Sequence, residues 1–224
     1  MNLLLFAVLL LQAKTAEEIF REMEQTLRKA NTSSLRVKSV YTREGKKLDL
    51  DEFPTFTLVT KTPGKVRFVQ DDPVYKEAPT PTRIFSDGEK VQGMAGYAPL
   101  VLKEDLTTCL IRTGIGNGMY LAGLMRMNPK GNVDTLLEGR SQVSGFQFQN
   151  SDALGKVITY KLKLLDDWYE VKLWYDAKSL LPIKRIVFVD GAVGDKQEFI
   201  DTYETWVLNA DIPDEKFKLP EDKK

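Results

Sequence analysis

Residues 171–189 read VKLWYDAKSLLPIKRIVFV, and they constrain the fold more than any other stretch of the chain. An alternating strand runs into a polar turn, Asp176 to Ser179. A second strand returns from Pro182, whose missing N–H does least harm at a strand edge. Residues 199–220, FIDTYETWVLNADIPDEKFKLP, add another alternating strand and a proline-punctuated acidic tail. Strands joined by tight turns with no helix between them describe antiparallel sheet.

The same period of two recurs upstream. Leu35, Val37, Ser39 and Tyr41 alternate with Arg36, Lys38 and Val40. Residues 53–60 and 65–70 read as strands around the turn Thr62-Pro63-Gly64, with Phe56, Leu58, Val66 and Phe68 inward. Asp87-Gly88 between residues 83–86 and 90–92 is a hairpin signal, and the proline-rich residues 71–82 read as a loop. Ile158, Tyr160 and Leu162 alternate with Thr159, Lys161 and Lys163. Val171, Leu173 and Tyr175 alternate with Glu170, Lys172 and Trp174. Phe199, Tyr203 and Val207 share a face, with Trp206 on the other.

Two segments break this pattern. Residues 15–31 predict a helix, with Thr15 as N-cap, Glu18 completing a capping box, and Ala16, Ile19, Phe20, Met23, Leu27 and Ala30 on one face. Residues 103–128, KEDLTTCLIRTGIGNGMYLAGLMRMN, predict two short helices over about 104–113 and 117–127, broken at Gly114 and Gly116. They form either an ordinary helical hairpin over the core or a mobile lid over an apolar cavity. The expectation is a single α+β domain over residues 15–220. It is an incomplete, half-open antiparallel β-barrel of about nine to eleven strands, with an N-terminal helix and a short helical lid insert on its concave side.

Composition narrows the function. The chain has 224 residues, no histidine and one cysteine, Cys109. Intramolecular disulfides, Cys/His zinc sites and Cys–His nucleophile pairs are therefore excluded. Lys plus Arg equals Asp plus Glu at 32 each, which gives no general pull toward nucleic acid. The acidic pairs Asp71-Asp72, Asp166-Asp167 and Glu17-Glu18 are sequence neighbours, which suits turns and a helix start better than acid/base chemistry. The glycines of residues 113–123 match neither a dinucleotide nor a P-loop fingerprint. The reading is a non-enzyme with no catalytic residues, no metal and no cofactor. Residues 3–11 are an unbroken apolar run, too short to span a bilayer but suited to a signal-peptide core. Cleavage after Ala13 makes residues 1–13 a signal peptide, although no Lys or Arg precedes the run. A buried N-terminal strand is the alternative.

A large antiparallel sheet with one apolar face and few helices curls around a ligand, and an exported cup of that kind suggests a carrier for acyl chains. The quoted motifs point the same way. Leu173, Trp174 and Asp176, then Leu181 and Pro182, then Asn209, Pro213, Asp214, Phe217 and Pro220 resemble the LolA-type superfamily of periplasmic outer-membrane lipoprotein carriers. That resemblance implies an exported, periplasmic protein that holds acyl chains of a lipoprotein or lipid. It also implies a membrane-bound donor or acceptor protein as partner. Phe56, Leu58, Val66, Phe68, Ile158, Tyr160, Leu162, Val171, Leu173 and Tyr175 would line the cavity. Leu106, Leu110, Leu121, Leu124, Met125 and Met127 would form the lid. A monomer without nucleic acid is expected. An envelope-stress sensor or peptide-interaction module on the same fold is the alternative.

Overall fold

A computed structural model describes residues 14–44, 46–47, 55–71, 80–96, 98–100, 143–164, 167–190 and 196–219. The segments expected to be a signal peptide and a helical insert, and Pro220, lie outside the described residues.

Helix α1 spans Ala16–Lys29 and starts as its sequence requires. The Thr15 hydroxyl accepts from the Glu18 N–H at 3.2 Å, and the Glu18 carboxylate accepts from the Thr15 N–H at 2.7 Å. Those bonds satisfy donors that a helix start leaves orphaned, and they hold the Glu18 carboxyl below its ordinary range. Ala16, Phe20 and Met23 are buried, and Ile19 and Leu27 pack beside them, so the predicted apolar face is the one that docks.

All twelve described strands belong to one antiparallel sheet. In chain order they are β1 (Thr32–Arg43), β2 (Lys46–Lys47), β3 (Phe56–Lys61), β4 (Lys65–Gln70), β5 (Thr80–Asp87) and β6 (Val91–Gly96). Then come β7 (Ala98–Leu100), β8 (Val143–Gln149), β9 (Lys156–Leu164), β10 (Asp167–Tyr175), β11 (Pro182–Asp190) and β12 (Lys196–Leu208). Their order is β7-β6-β5-β4-β3-β1-β12-β11-β10-β9-β8, with the two-residue β2 beside β1. Two hairpin meanders meet at β1 and β12, the first and last long strands. Among the described strands the sheet ends at β7 and β8, and it forms an open half-barrel.

Turn chemistry fixes most of the local joins. The Asp176 carboxylate accepts from the Lys178 and Ser179 N–H groups and from the Ser179 hydroxyl, closing the β10–β11 turn. Asp87 does the same for Glu89 and Lys90 at the β5–β6 turn. Both carboxyls are held below their usual range, chiefly by those backbone donors. The last three residues of the proline-rich segment depart from their reading. β5 begins at Thr80, three residues before the expected strand, and an irregularity between Thr80 and Arg83 accommodates Pro81.

The face expected for Trp206 is also corrected. Leu35 pairs with Trp206 but Val37 pairs with Tyr203, which leaves Glu204 as the extra residue of a β-bulge. The bulge resets the alternation, so Trp206 joins Tyr203 on one face with ring centroids 5.1 Å apart, while Val207 turns outward and is half exposed. Arg36 opposite the bulge reaches the Glu204 carboxylate at 3.1 Å and also bonds Asp71.

The tail packs on the face opposite α1. Ile212 and Phe217 cover Val59, and Lys61 donates to the Ile212 carbonyl at 2.8 Å. Lys61 and Lys65 each reach the Asp214 carboxylate at 2.6 Å and lower its pKa to about 2. A depressed folded-state pKa contributes stability that is present above the unfolded value and is lost as pH falls through the folded one. The expected outcome is a tail that loosens as pH drops from about 4 toward 2. An NMR titration of the Asp214 carboxyl checks this. It moves back toward 3.8 in Lys61→Met/Lys65→Met, and an unchanged midpoint would overturn the account.

Candidate functional site: the inner face of the open sheet

The face on which α1 lies is termed inner. Cross-strand register places all ten residues expected to line a cavity on this face. Ile84, Phe68, Leu58 and Leu35 are successive partners across β5, β4, β3 and β1. Val187, Val171 and Tyr160 are successive partners across β11, β10 and β9. Paired residues project to the same side, so the ten share one continuous surface, and each is buried.

The two halves of that surface differ. Ile158, Tyr160, Leu162, Val171, Leu173 and Tyr175 form one core with Ala16, Phe20, Met23, Val143 and Val187. Phe20 sits 4.9 Å from the Tyr160 ring centroid and 5.0 Å from that of Phe146. Here the helix itself fills the face. Burial also raises the Tyr175 phenol above its ordinary pKa. Phe56, Leu58, Val66 and Phe68 lie in the other half with Leu35, Val37 and Ile84, and the Phe56 and Phe68 rings are 5.1 Å apart. None of these seven belongs to the core that α1 forms. The six residues assigned to a lid lie outside the described residues.

Between the halves sits a buried charge pair. Arg185 and Asp201 face each other across β11 and β12, with a side-chain nitrogen and oxygen 3.2 Å apart, and both are essentially inaccessible to water. Ser39, opposite Asp201 on β1, donates to the other carboxylate oxygen at 2.6 Å. Burial pushes the Asp201 carboxyl up from its ordinary value, while Arg185 and Ser39 oppose the rise. No sequence reading singled out these residues as a cluster. The signal was there in part: the alternation that turns Val187 and Val189 inward also turns Arg185 inward.

The tryptophans divide by role. Trp174 is buried on the outer face under the Lys172 and Lys184 ammonium groups and donates its indole N–H to Asp152 at 2.7 Å. Trp168 is half exposed and borders a groove of about 440 Å³ at the end of β10 and β11, with Tyr169, Glu170, Phe188 and Asp190. Among the described residues no group of His, Cys, Asp and Glu is assembled to hold a metal ion. No described helix is long and apolar enough to cross a membrane.

The residues that carried the family resemblance are structural. Asp176 closes a turn, and Pro182 opens β11. Asn209 adopts φ +56° and accepts from the Asn31 N–H at 2.9 Å, while Phe217 anchors the tail.

No protein-family model matches the chain, and no curated protein matches it. Among solved structures, it is similar to the crystal structure of a DUF1329 family protein from Desulfovibrio piger ATCC 29098. The two are 11% identical over 91% of this chain and 95% of that one, with a TM-score of 0.40.

Proposed function

We propose that this chain is an exported, non-catalytic binding protein that holds acyl chains of a lipid or lipoprotein against the inner face of its half-barrel and carries them between membranes. One observation carries the reading: an unclosed sheet devotes a continuous apolar face to its interior, and among the described residues α1 packs on the β8–β11 half, while the buried Leu35, Leu58, Phe68 and Ile84 of the other half lie outside that core. The acyl chain lies against β1, β3, β4 and β5, where Leu35, Leu58, Phe68 and Ile84 stand in register. Burial supplies the affinity, at about 0.8 kcal/mol for each methylene removed from water. Leu35, Val37, Phe56, Leu58, Val66, Phe68 and Ile84 supply the apolar contact, and Gln70 and Ser86 are polar residues on the same face. A membrane-bound donor or acceptor protein is its partner.

The test is a titration of delipidated protein with palmitate and a pyrene-labelled fatty acid. Saturable binding at one site is expected, and Leu58→Trp, which adds bulk on the apolar half, weakens it at least about tenfold while the far-UV spectrum is kept. Absence of saturable binding by the delipidated protein would sink the proposal.

A second reading is a peptide- or protein-interaction module. It is favoured by the filled core under α1 together with the exposed side chains along β8.

A further inference from the structure

The apolar half of the inner face changes character along its strands. Its middle is hydrocarbon, where Leu35, Leu58, Phe68 and Ile84 stand in register. Two residues along toward Val66 come Ser33, Thr60 and Ser86. Their hydroxyls are used within the fold. Ser33 and Thr60 bond each other at 2.7 Å. Ser86 donates to the Gly64 carbonyl at 2.7 Å and accepts from the Gly88 N–H at 3.3 Å.

In the other direction β4 ends in Gln70, paired with Phe56. Alternation with Val66 and Phe68 turns its side chain to the same inner face. Gln70 is 6% exposed, and among the described residues no donor reaches its Oε1. A buried amide oxygen without a donor costs stability, and cores keep few of them. A leucine here would extend the apolar face without that cost, so fold stability gives no reason for an amide at this position.

We infer that Gln70 accepts a hydrogen bond from the polar end of the bound ligand, and that this ligand is a neutral acyl species whose head carries a hydroxyl or an amide N–H. The inference rests on the acyl-binding reading above and names the head group that reading leaves open. The chain lies over Leu58, Phe68 and Ile84, with its tail toward Val66 and its head toward Phe56 and Gln70. An ionised fatty carboxylate suits this end poorly, because it offers acceptors only and would meet the Gln70 oxygen with like polarity. An acylglycerol or an acylated amine supplies the missing donor. Phe56 and Phe68, with rings 5.1 Å apart, keep the surroundings of Gln70 apolar, where a hydrogen bond is stronger than in water. A site built to bond a donor rejects the analogue that lacks it.

Competition against a pyrene-labelled fatty acid on the delipidated full chain tests this with three probes of one acyl length. Monolauroylglycerol offers hydroxyls, N-methyl-lauramide offers an N–H, and methyl laurate offers no donor. The wild type binds a donor-bearing probe at least about tenfold more tightly than methyl laurate, and Gln70→Leu loses that preference. Preference for the glycerol probe alone identifies a hydroxyl lipid, and preference for the amide alone identifies an acylated amine. Lipid-free Gln70→Leu also melts about 2–4 °C above the wild type, because it removes the buried unpaired oxygen. That readout verifies folding and needs no ligand. Methyl laurate binding as tightly as the other two would overturn the assignment of Gln70 and leave acyl binding in place. So would a preference that survives in Gln70→Leu, or a variant that melts below the wild type. If neither the pyrene-labelled fatty acid nor any probe binds, the acyl-binding reading itself fails and takes the inference with it.

Discussion

Replacing Arg185 with methionine lowers the unfolding free energy by about 3–5 kcal/mol, because it strips the charge partner from a carboxylate that water cannot reach. Ser39 remains, but one hydroxyl donor does not replace a guanidinium. Arg185→Met/Asp201→Leu recovers most of the loss, since apolar groups of similar volume are tolerated where a paired charge was buried. The loss also depends on pH. The folded-state pKa of Asp201 is raised above 3.8 by burial, so its protonated form is favoured by folding. Stability linked to this group is fully present below the unfolded pKa and is lost as pH rises through the folded one. Removing Arg185 raises that pKa further, so the deficit of Arg185→Met is smaller near about pH 4 than near neutrality. Urea denaturation at both pH values measures this. An equal deficit at both, or a double variant no better than the single, would show that the ion pair is not the cause.

Phe20→Ala costs about 3–5 kcal/mol and releases α1 from the sheet. The ring is wholly buried, and it touches both Phe146 on the edge strand and Tyr160 one strand in. Fourteen residues form a marginal helix alone, so its stability comes from this docking. Hydrogen exchange distinguishes docking from general packing. Amides of α1 lose protection in Phe20→Ala before those of β10 and β11 do. A loss below about 1 kcal/mol, or uniform loss of protection, would contradict the assignment of Phe20 as the anchor.

Much of this architecture is local in origin. Thr15 and Glu18 cap a helix because a hydroxyl and a carboxylate three residues apart meet the first orphan N–H groups. Asp176 and Asp87 make turns because a short carboxylate reaches the amides two and three residues on. Alternation at Phe56, Leu58, Val66, Phe68, Ile158, Tyr160, Leu162, Val171, Leu173 and Tyr175 places those side chains on one face of whatever sheet their strands join. These features depend on chemistry within a few residues, and the sequence by itself determined them.

What lies between distant residues is different in kind. No local signal sets β1 between β3 and β12, because that placement is decided by which exposed edges and apolar faces remain once the hairpins have formed. The bulge at Glu204 moved Trp206 to the inner face because residues more than 160 positions apart, Arg36 with Thr205 and Val37 with Tyr203, had to match their registers. Arg185 and Asp201 read as ordinary charged residues of alternating strands, and only the meeting of β11 with β12 makes them a buried pair. The filling of one half of the face by α1 follows from the same cause. Tertiary structure alone decided these, since burial is a property of neighbours in space and only the period of two is a property of neighbours in sequence.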